Sequence, residues 1–242
     1  MRIRSIHYSQ VGRGHIETGQ ACQDFSKTYQ DKSVSIMVIA DGAGSQVHSA
    51  QGARIAVEQT IRYFRKQPFD GLDDEAICEK VIQAIQDRII TSKEFSGQLR
   101  QYASTLLFCV LDKKNGRYLI GHLGDGMVVS HQRGRLAVAS YPENGEYANM
   151  TYFTTTKEAS KHLRLQRGNW QKQMGFMLMT DGAANSLYQV KTKQLAPAIT
   201  TLFDWLQNNA QARVKQALQQ ALAQQISQKT KDDCTIAMNY LY

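Results

Sequence analysis

The sequence predicts an α+β fold built from antiparallel sheets and packed helices. Three observations carry this reading. Apolar runs of strand length are joined by hairpin signals such as Asn115-Gly116. Two amphipathic helical stretches sit side by side in the first half of the chain, and a long Gln-, Ala- and Leu-rich stretch precedes one last strand. Hairpins imply antiparallel pairing. Strand runs kept apart from helix runs argue for α and β layers, against an alternating βαβ sheet.

An N-terminal strand comes first and is followed by Gln23-Asp24. Residues 33–40 are almost continuously apolar and read as a buried strand that ends at Asp41. Residues 49–66 place Ala53, Ala56, Val57, Ile61 and Phe64 on one helical face. Residues 74–92 do the same with Ile77, Val81, Ile85 and Ile89, and Asp73 stands where an N-cap belongs. Strands follow at 103–111 and 117–123, then a hairpin of 127–130 with 135–139. Gly124-Asp125-Gly126, taken alone, reads as a hairpin turn between two of these strands. The basic run from Lys161 to Arg167 reads as a solvated helix or loop face. A strand at 175–180 leads to Asp181. Helix is expected over about 198–228 with a break near Asn208-Asn209, and Leu202, Trp205, Leu206, Leu218, Leu222 and Ile226 are expected to face the core. The last strand spans 234–241.

Composition narrows the function classes. The chain has 242 residues and only three prolines, with no linker or repeat, which fits one domain spanning 1–242. A formal net charge of +8 raises nucleic acid, a membrane surface or acidic substrates as partners. The basic residues are scattered, and no basic stripe with interleaved aromatics marks a nucleic-acid surface. No run approaches the ~20 apolar residues of a membrane helix, and residues 1–5 lack a signal-peptide pattern. Cys22, Cys78, Cys109 and Cys234 share no disulfide or zinc spacing. The expectation is a reduced, cytoplasmic, monomeric protein that binds neither nucleic acid nor membrane.

Four acidic turns carry the chemistry: Gln23-Asp24, Asp41-Gly42-Ala43-Gly44, Asp181-Gly182 and Asp232-Asp233. Each adjoins an apolar strand. Carboxylates from distant parts of a chain, all at strand ends, point to a shared cation site, and oxygen ligands favour Mg²⁺ or Mn²⁺ over zinc. Glycine after Asp41 permits close backbone approach, so the Gly42 carbonyl is a further candidate ligand. Each turn alone also reads as an ordinary strand-end turn.

In their order, these turns resemble the motifs of the PP2C (PPM) metal-dependent protein serine/threonine phosphatases. That series runs N-(E/Q)-D, D-G-x-G-G, G-S-T, G-D-S, S-D-G and D-(N/D)-x-T. Here it reads Cys22-Gln23-Asp24, Asp41-Gly42-Ala43-Gly44-Ser45, Ala103-Ser104-Thr105, Gly124-Asp125-Gly126, Thr180-Asp181-Gly182 and Asp232-Asp233-Cys234-Thr235. The likeness covers about 5–240 and is closest to a small, divergent bacterial branch. It implies a four-layer α/β/β/α sandwich with two Mg²⁺ or Mn²⁺ ions, and a weaker third, between the sheet edges. By position, Asp41 would bridge two ions, Gly42 would bind one, and Asp181 and Asp232 the other. Asp24 would sit beside the pair, directly or through water, and Asp125 with Asp181 would hold the third. Asp233 is the weaker candidate of its pair. Two cations about 3.5–4 Å apart acidify a bridging water and orient a phosphate for in-line attack. The implied substrates are phosphoserine and phosphothreonine proteins, targets of a Ser/Thr kinase.

The chain departs from that pattern in two places. Many members carry a phosphate-binding arginine just before the first motif. Here that stretch holds Thr18 and Gly19, leaving His15 and Arg13 as candidates for phosphate contact. A common version of the second motif carries a histidine that protonates the leaving group, where this chain has Ala43, which leaves water on the metal or His48. Turn or core roles for His15 and a solvated-loop role for His48 are the plainer readings. The polar stretch from Tyr141 to Thr156 corresponds to a variable flap and is a candidate for substrate choice. The rival functions are an inactive pseudophosphatase that binds metal or phosphopeptide, a phosphatase of small esters, and a nucleic-acid-binding domain.

Overall fold

A strand with apolar side chains on both faces must be covered on both. Residues 34–40 are such a strand. The computed structural model describes residues 2–143 and 151–242. In chain order it contains β1 (Ile3–Gln10), α1 (Arg13–Thr18), β2 (Phe25–Gln30), β3 (Val34–Ala40), α2 (Ser49–Lys66) and α3 (Asp74–Ile90). Next come β4 (Leu106–Asp112), β5 (Arg117–Leu123), β6 (Met127–Gln132), β7 (Arg135–Ser140), α4 (Ala159–His162), β8 (Arg164–Asn169) and β9 (Met174–Met179). The chain continues through α5 (Asp181–Leu187), the short pair β10 (Tyr188–Gln189) and β11 (Gln194–Leu195), α6 (Pro197–Asn208), α7 (Gln211–Ala221) and β12 (Cys234–Leu241).

Two five-stranded antiparallel sheets result. One runs β2-β3-β4-β5-β8 and the other β1-β12-β9-β6-β7. Side chains alternate across each strand, and the two faces serve different cores. On β3, Ile36, Val38 and Ala40 meet α2 and α3, while Met37 and Ile39 face the opposite sheet. On β4, Phe108 and Val110 join the first set, and Leu107, Cys109 and Leu111 the second. The other sheet repeats the scheme: Ile236 and Met238 pack with α6 and α7, while Phe176, Leu178 and Ala237 fill the space between the sheets. Three cores between four layers explain why the central strands β3, β4, β9 and β12 have no polar face.

The helices form where the apolar stripe lies. Helix α2 buries Ala53, Ala56, Val57, Ile61 and Phe64, each large side chain stabilising by about 1.5–3 kcal/mol. Helix α3 begins at Asp73, whose carboxylate accepts from the Ala76 amide at 2.6 Å. The break near Asn208-Asn209 separates α6 from α7. Arg4 reaches across from β1, and its Nη1 donates to the carbonyls of Leu206, Gln207 and Asn209, each at 2.8 Å. The ends of the described chain are tied together: the Arg2 amide donates to the Tyr242 carbonyl and the Tyr242 amide to Arg2, both at 3.1 Å.

Three expectations are corrected. Trp205 does not face the core but is 42% exposed. The basic run is not a solvated helix or loop face: it is α4 followed by the edge strand β8. There Arg167 donates to the Asp74 carboxylate and to the carbonyls of Phe69 and Leu72. Gly124-Asp125-Gly126 is not a hairpin turn, because β5 and β6 belong to different sheets. Residues 144–150 of the expected flap lie outside the described residues. In addition, α1 and the polar edge strand β2 carry little sequence signal.

Gly52 on α2 lies so close to residue 102 that a Cβ there would sit 1.9 Å from the Tyr102 carbonyl oxygen. Alanine normally favours a helix over glycine by about 1 kcal/mol. Here we expect the opposite sign. Gly52→Ala should destabilise by about 1–3 kcal/mol, read as a lowered midpoint in urea with the m-value unchanged. A midpoint at or above the parent's would refute this contact.

Candidate metal centre

Antiparallel pairing puts the end of one strand beside the start of its neighbour. In the first sheet Phe25 pairs with Ala40, so Asp24 and Asp41, the next residues outward, leave the sheet side by side. In the second sheet Ile236 pairs with Met179, which brings Asp181 against the Asp232-Asp233 turn. The packing there is tight: a Cβ on Gly182 would lie 2.1 Å from the Asp233 carbonyl oxygen. Asp125 arrives on the crossover between the sheets.

Local hydrogen bonds fix each acid. The Asp41 amide donates to Thr105 Oγ1 at 3.0 Å, and the Thr105 amide returns a bond to the Asp41 carbonyl at 2.8 Å. Gly42 bridges to Ser104. Gly124 has φ +110°, and a Cβ there would meet Thr105 Cγ2 at 2.6 Å, so this turn requires glycine. Thr180 Oγ1 donates to Asp24 Oδ2 at 2.9 Å and accepts from the Thr235 amide at 2.9 Å. Thr151 Oγ1 donates to Asp125 Oδ2 at 2.7 Å. Thr105 and Thr180 are supporting residues that the sequence shows only as motif neighbours.

The acids are held close against their own charge. Asp24 is 5% exposed, and burial, reinforced by the nearby Asp233 charge, pushes its carboxyl up to about 8. Asp41 is pushed well above the usual carboxylate range by burial and then by the charges of Asp24, Asp181 and Asp232. Burial and the charges of Asp232 and Asp125 push Asp181 up to about 6. Asp232 is raised too, chiefly by burial. Asp24 Oδ1 is buried with no hydrogen-bond partner among the described residues. This all-oxygen, anionic donor set with an orphaned buried oxygen fits a hard divalent cation. Among the described residues no three acidic, His or Cys side chains are gathered tightly enough to enclose an ion unaided. Water and backbone oxygen would have to complete the shell, which suits the habit of Mg²⁺.

Asp233 plays a different part from its neighbour. It is 2% exposed, and both its oxygens are taken: Oδ1 by the Gly12 amide at 2.6 Å and His15 Nδ1 at 3.0 Å, Oδ2 by the Gln23 amide at 2.6 Å. His15 is thus brought to the cluster. Arg13 is exposed and donates from Nε to the Thr230 carbonyl at 3.3 Å. His48 stands at the head of α2 with its ring stacked on Tyr102, centroids 4.9 Å apart, and makes no hydrogen bond to the acids. A cleft of about 680 Å³ opens beside Asp125 and Asp181, bordered by Tyr141, Pro142, Tyr188 and Lys193.

The family model described as Protein phosphatase 2C matches residues 11–223. The chain belongs to this family. PP2C members are phosphoprotein phosphatases, and this chain is an enzyme of that class. It is similar to serine/threonine-protein phosphatase 3 of Escherichia coli (strain K12), 29% identical over 98% of both chains. Among solved structures it shares the fold of an S. agalactiae serine/threonine phosphatase, with a TM-score of 0.70 and 14% identity over all of both chains. It shares it also with the catalytic domain of the phosphatase PstP in complex with two manganese ions, with a TM-score of 0.68 and 15% identity over 99% of both.

The clustered acids set the pH dependence of the metal-free PP2C chain. Asp24 holds its proton to about 8 when folded but releases it near the ordinary carboxylate value when unfolded. The folded state therefore binds more protons, and stability falls as pH rises towards 8. Below pH ~6.5 the opposite trend enters, because burial pushes His7 down to about 4 and His122 to about 3, so acid costs stability there. In EDTA, the thermal midpoint should fall between pH 6.5 and 8.5 by the equivalent of about 1–2 kcal/mol. Asp24→Asn should flatten that slope. A midpoint that rises over this interval in the parent would contradict the burial of Asp24.

Proposed function

We propose that the chain is a catalytically competent, metal-dependent phosphatase of phosphoserine and phosphothreonine in proteins. The observation that carries this reading is the convergence of Asp24, Asp41, Asp181 and Asp232 at one end of two stacked sheets, with Asp125 beside them. Carboxylates gathered at such electrostatic cost call for a compensating cation. Asp41 would lie between two ions, with the Gly42 carbonyl on one and Asp181 and Asp232 on the other. Asp24 would stand beside the pair, and Asp125 with Asp181 would take a weaker third.

Bound Mg²⁺ or Mn²⁺ supplies an acidified water as nucleophile and neutralises phosphate charge. The chain's own residues do the positioning. Thr105 clamps the Asp41 backbone from both sides, and Thr180 fixes the Asp24 carboxylate. The open cleft beside Asp125 and Asp181 suits an extended phosphopeptide whose phosphate reaches the acids. The presence of every acid, each with its own support, favours a working enzyme over a pseudophosphatase. Substrates would be targets of a Ser/Thr kinase, and the chain would act as a monomer. Four free thiols support a reducing, cytoplasmic setting.

After removal of metal with EDTA, p-nitrophenyl phosphate hydrolysis should return only on addition of Mn²⁺ or Mg²⁺, and a phosphoserine peptide should be cleaved under the same conditions. Asp41→Asn should lower kcat by at least about 10²–10³-fold while the protein stays folded by circular dichroism. A folded parent that is inert with either ion would favour the pseudophosphatase. Turnover at the parent rate in Asp41→Asn would remove Asp41 from the centre.

A further inference from the structure

We propose that His15, held by Asp233, delivers the proton to the departing serine or threonine oxygen. The inference rests on the phosphatase reading above. An alkoxide is a poor leaving group, and a proton supplied in the transition state contributes about 10²–10⁴-fold. The donor must stand at the edge of the acid cluster, with one ring nitrogen fixed and the other free.

Six histidines are present, and five are engaged elsewhere. His7 bonds to Ser26 and His122 to Ser140. The rings of His48, His131 and His162 stack on Tyr102, Phe203 and Tyr152. His15 alone among them bonds to a carboxylate, through Nδ1 to Asp233 Oδ1 at 3.0 Å. Its side chain is 16% exposed, and Nε2 makes no hydrogen bond within the described chain. A carboxylate on Nδ1 sets the orientation of the ring and leaves Nε2 to meet the substrate.

The mounting is rigid. A Cβ on Gly12 would lie 2.3 Å from the Asp232 carbonyl carbon, and the Gly14 amide donates to the Lys231 carbonyl at 2.9 Å. Helix α1 therefore sits directly on the turn that presents Asp232. Asp233 is a positioning residue: its buried carboxylate joins Gly12, His15 and Gln23.

The step balances without any further reactant. Water oxygen forms a bond to phosphorus, the P–Oγ bond breaks, and its electron pair stays on Oγ. The Nε2 proton passes to Oγ to give the free hydroxyl. The attacking water loses its proton to solvent, and solvent restores the proton on Nε2.

The test compares leaving groups. Nitrophenolate departs without a proton, whereas serine does not. In the Mn²⁺-loaded enzyme, His15→Ala should lower kcat on a phosphoserine peptide by about 10²-fold, and at least about tenfold further than on p-nitrophenyl phosphate. Asp233→Asn should skew the two rates in the same direction. His15→Gln keeps a hydrogen-bonding side chain for Asp233 and answers the question should the alanine variant unfold. Equal losses on both substrates, a change confined to KM, or a loss explained by weaker Mn²⁺ binding would overturn the assignment. A parent inert on both substrates would instead sink the phosphatase reading itself, and this inference with it.

Discussion

Repulsion among Asp24, Asp41, Asp181 and Asp232 is the force the rest of the structure has to resist. Left to themselves, such carboxylates would move apart into water. Two sheets prevent it, because each acid stands within two residues of a strand end, and the central strands of both sheets are locked in register by apolar side chains on both faces. A one-residue slip of β3 would send Met37 and Ile39 to the helix side and their neighbours into the inter-sheet core. Core packing thus fixes where the charges lie, and the charges in turn make the site receptive to a cation.

The same view explains the supporting hydroxyls. Thr105 and Thr180 are each held at a strand end, and each bonds an acid or the backbone that carries one. They add no charge to a site already crowded with it, while satisfying groups that burial would otherwise leave unpaired. Asp233 extends the scheme outward. Its carboxylate is neutralised by donors instead of by an ion, and it anchors the N-terminal helix to the far end of the chain.

Much of the fold was legible because these strands and helices are apolar in ways that only one layering satisfies. Residues 49–66 show their apolar stripe and form a helix with those bounds; residues 234–241 likewise form a strand. Edge strands were harder. β2 is Phe-Ser-Lys-Thr-Tyr-Gln and β8 is rich in arginine, since an edge is half solvated and needs little hydrophobicity. Gly124-Asp125-Gly126 was misleading because a turn sequence does not record which sheet the next strand joins. Trp205 sat on the predicted stripe, but the angular width of a buried face is set by its neighbours. For the site, the acids were visible as strand-end turns. The resemblance set Asp232 ahead of Asp233 as a ligand, but the work Asp233 does was hidden, since its partners Gly12, His15 and Gln23 are distant in sequence or carry no motif signal for it.

The two sheets also differ in when they can be made. The β2-β3-β4-β5-β8 sheet comes from one contiguous stretch, residues 25–169, whereas the other takes β1 from one end of the described chain and β12 from the other. β12 lies between β1 and β9, so until it is in place β1 has no neighbour in the sheet and β9 is paired on one side alone, with β6. On the ribosome, the first sheet and its helices can assemble while Asp232 is still unsynthesised. A growing chain therefore carries Asp24 and Asp41 before Asp232 exists, and the acids of the two sheets can meet only once synthesis has passed the last strand.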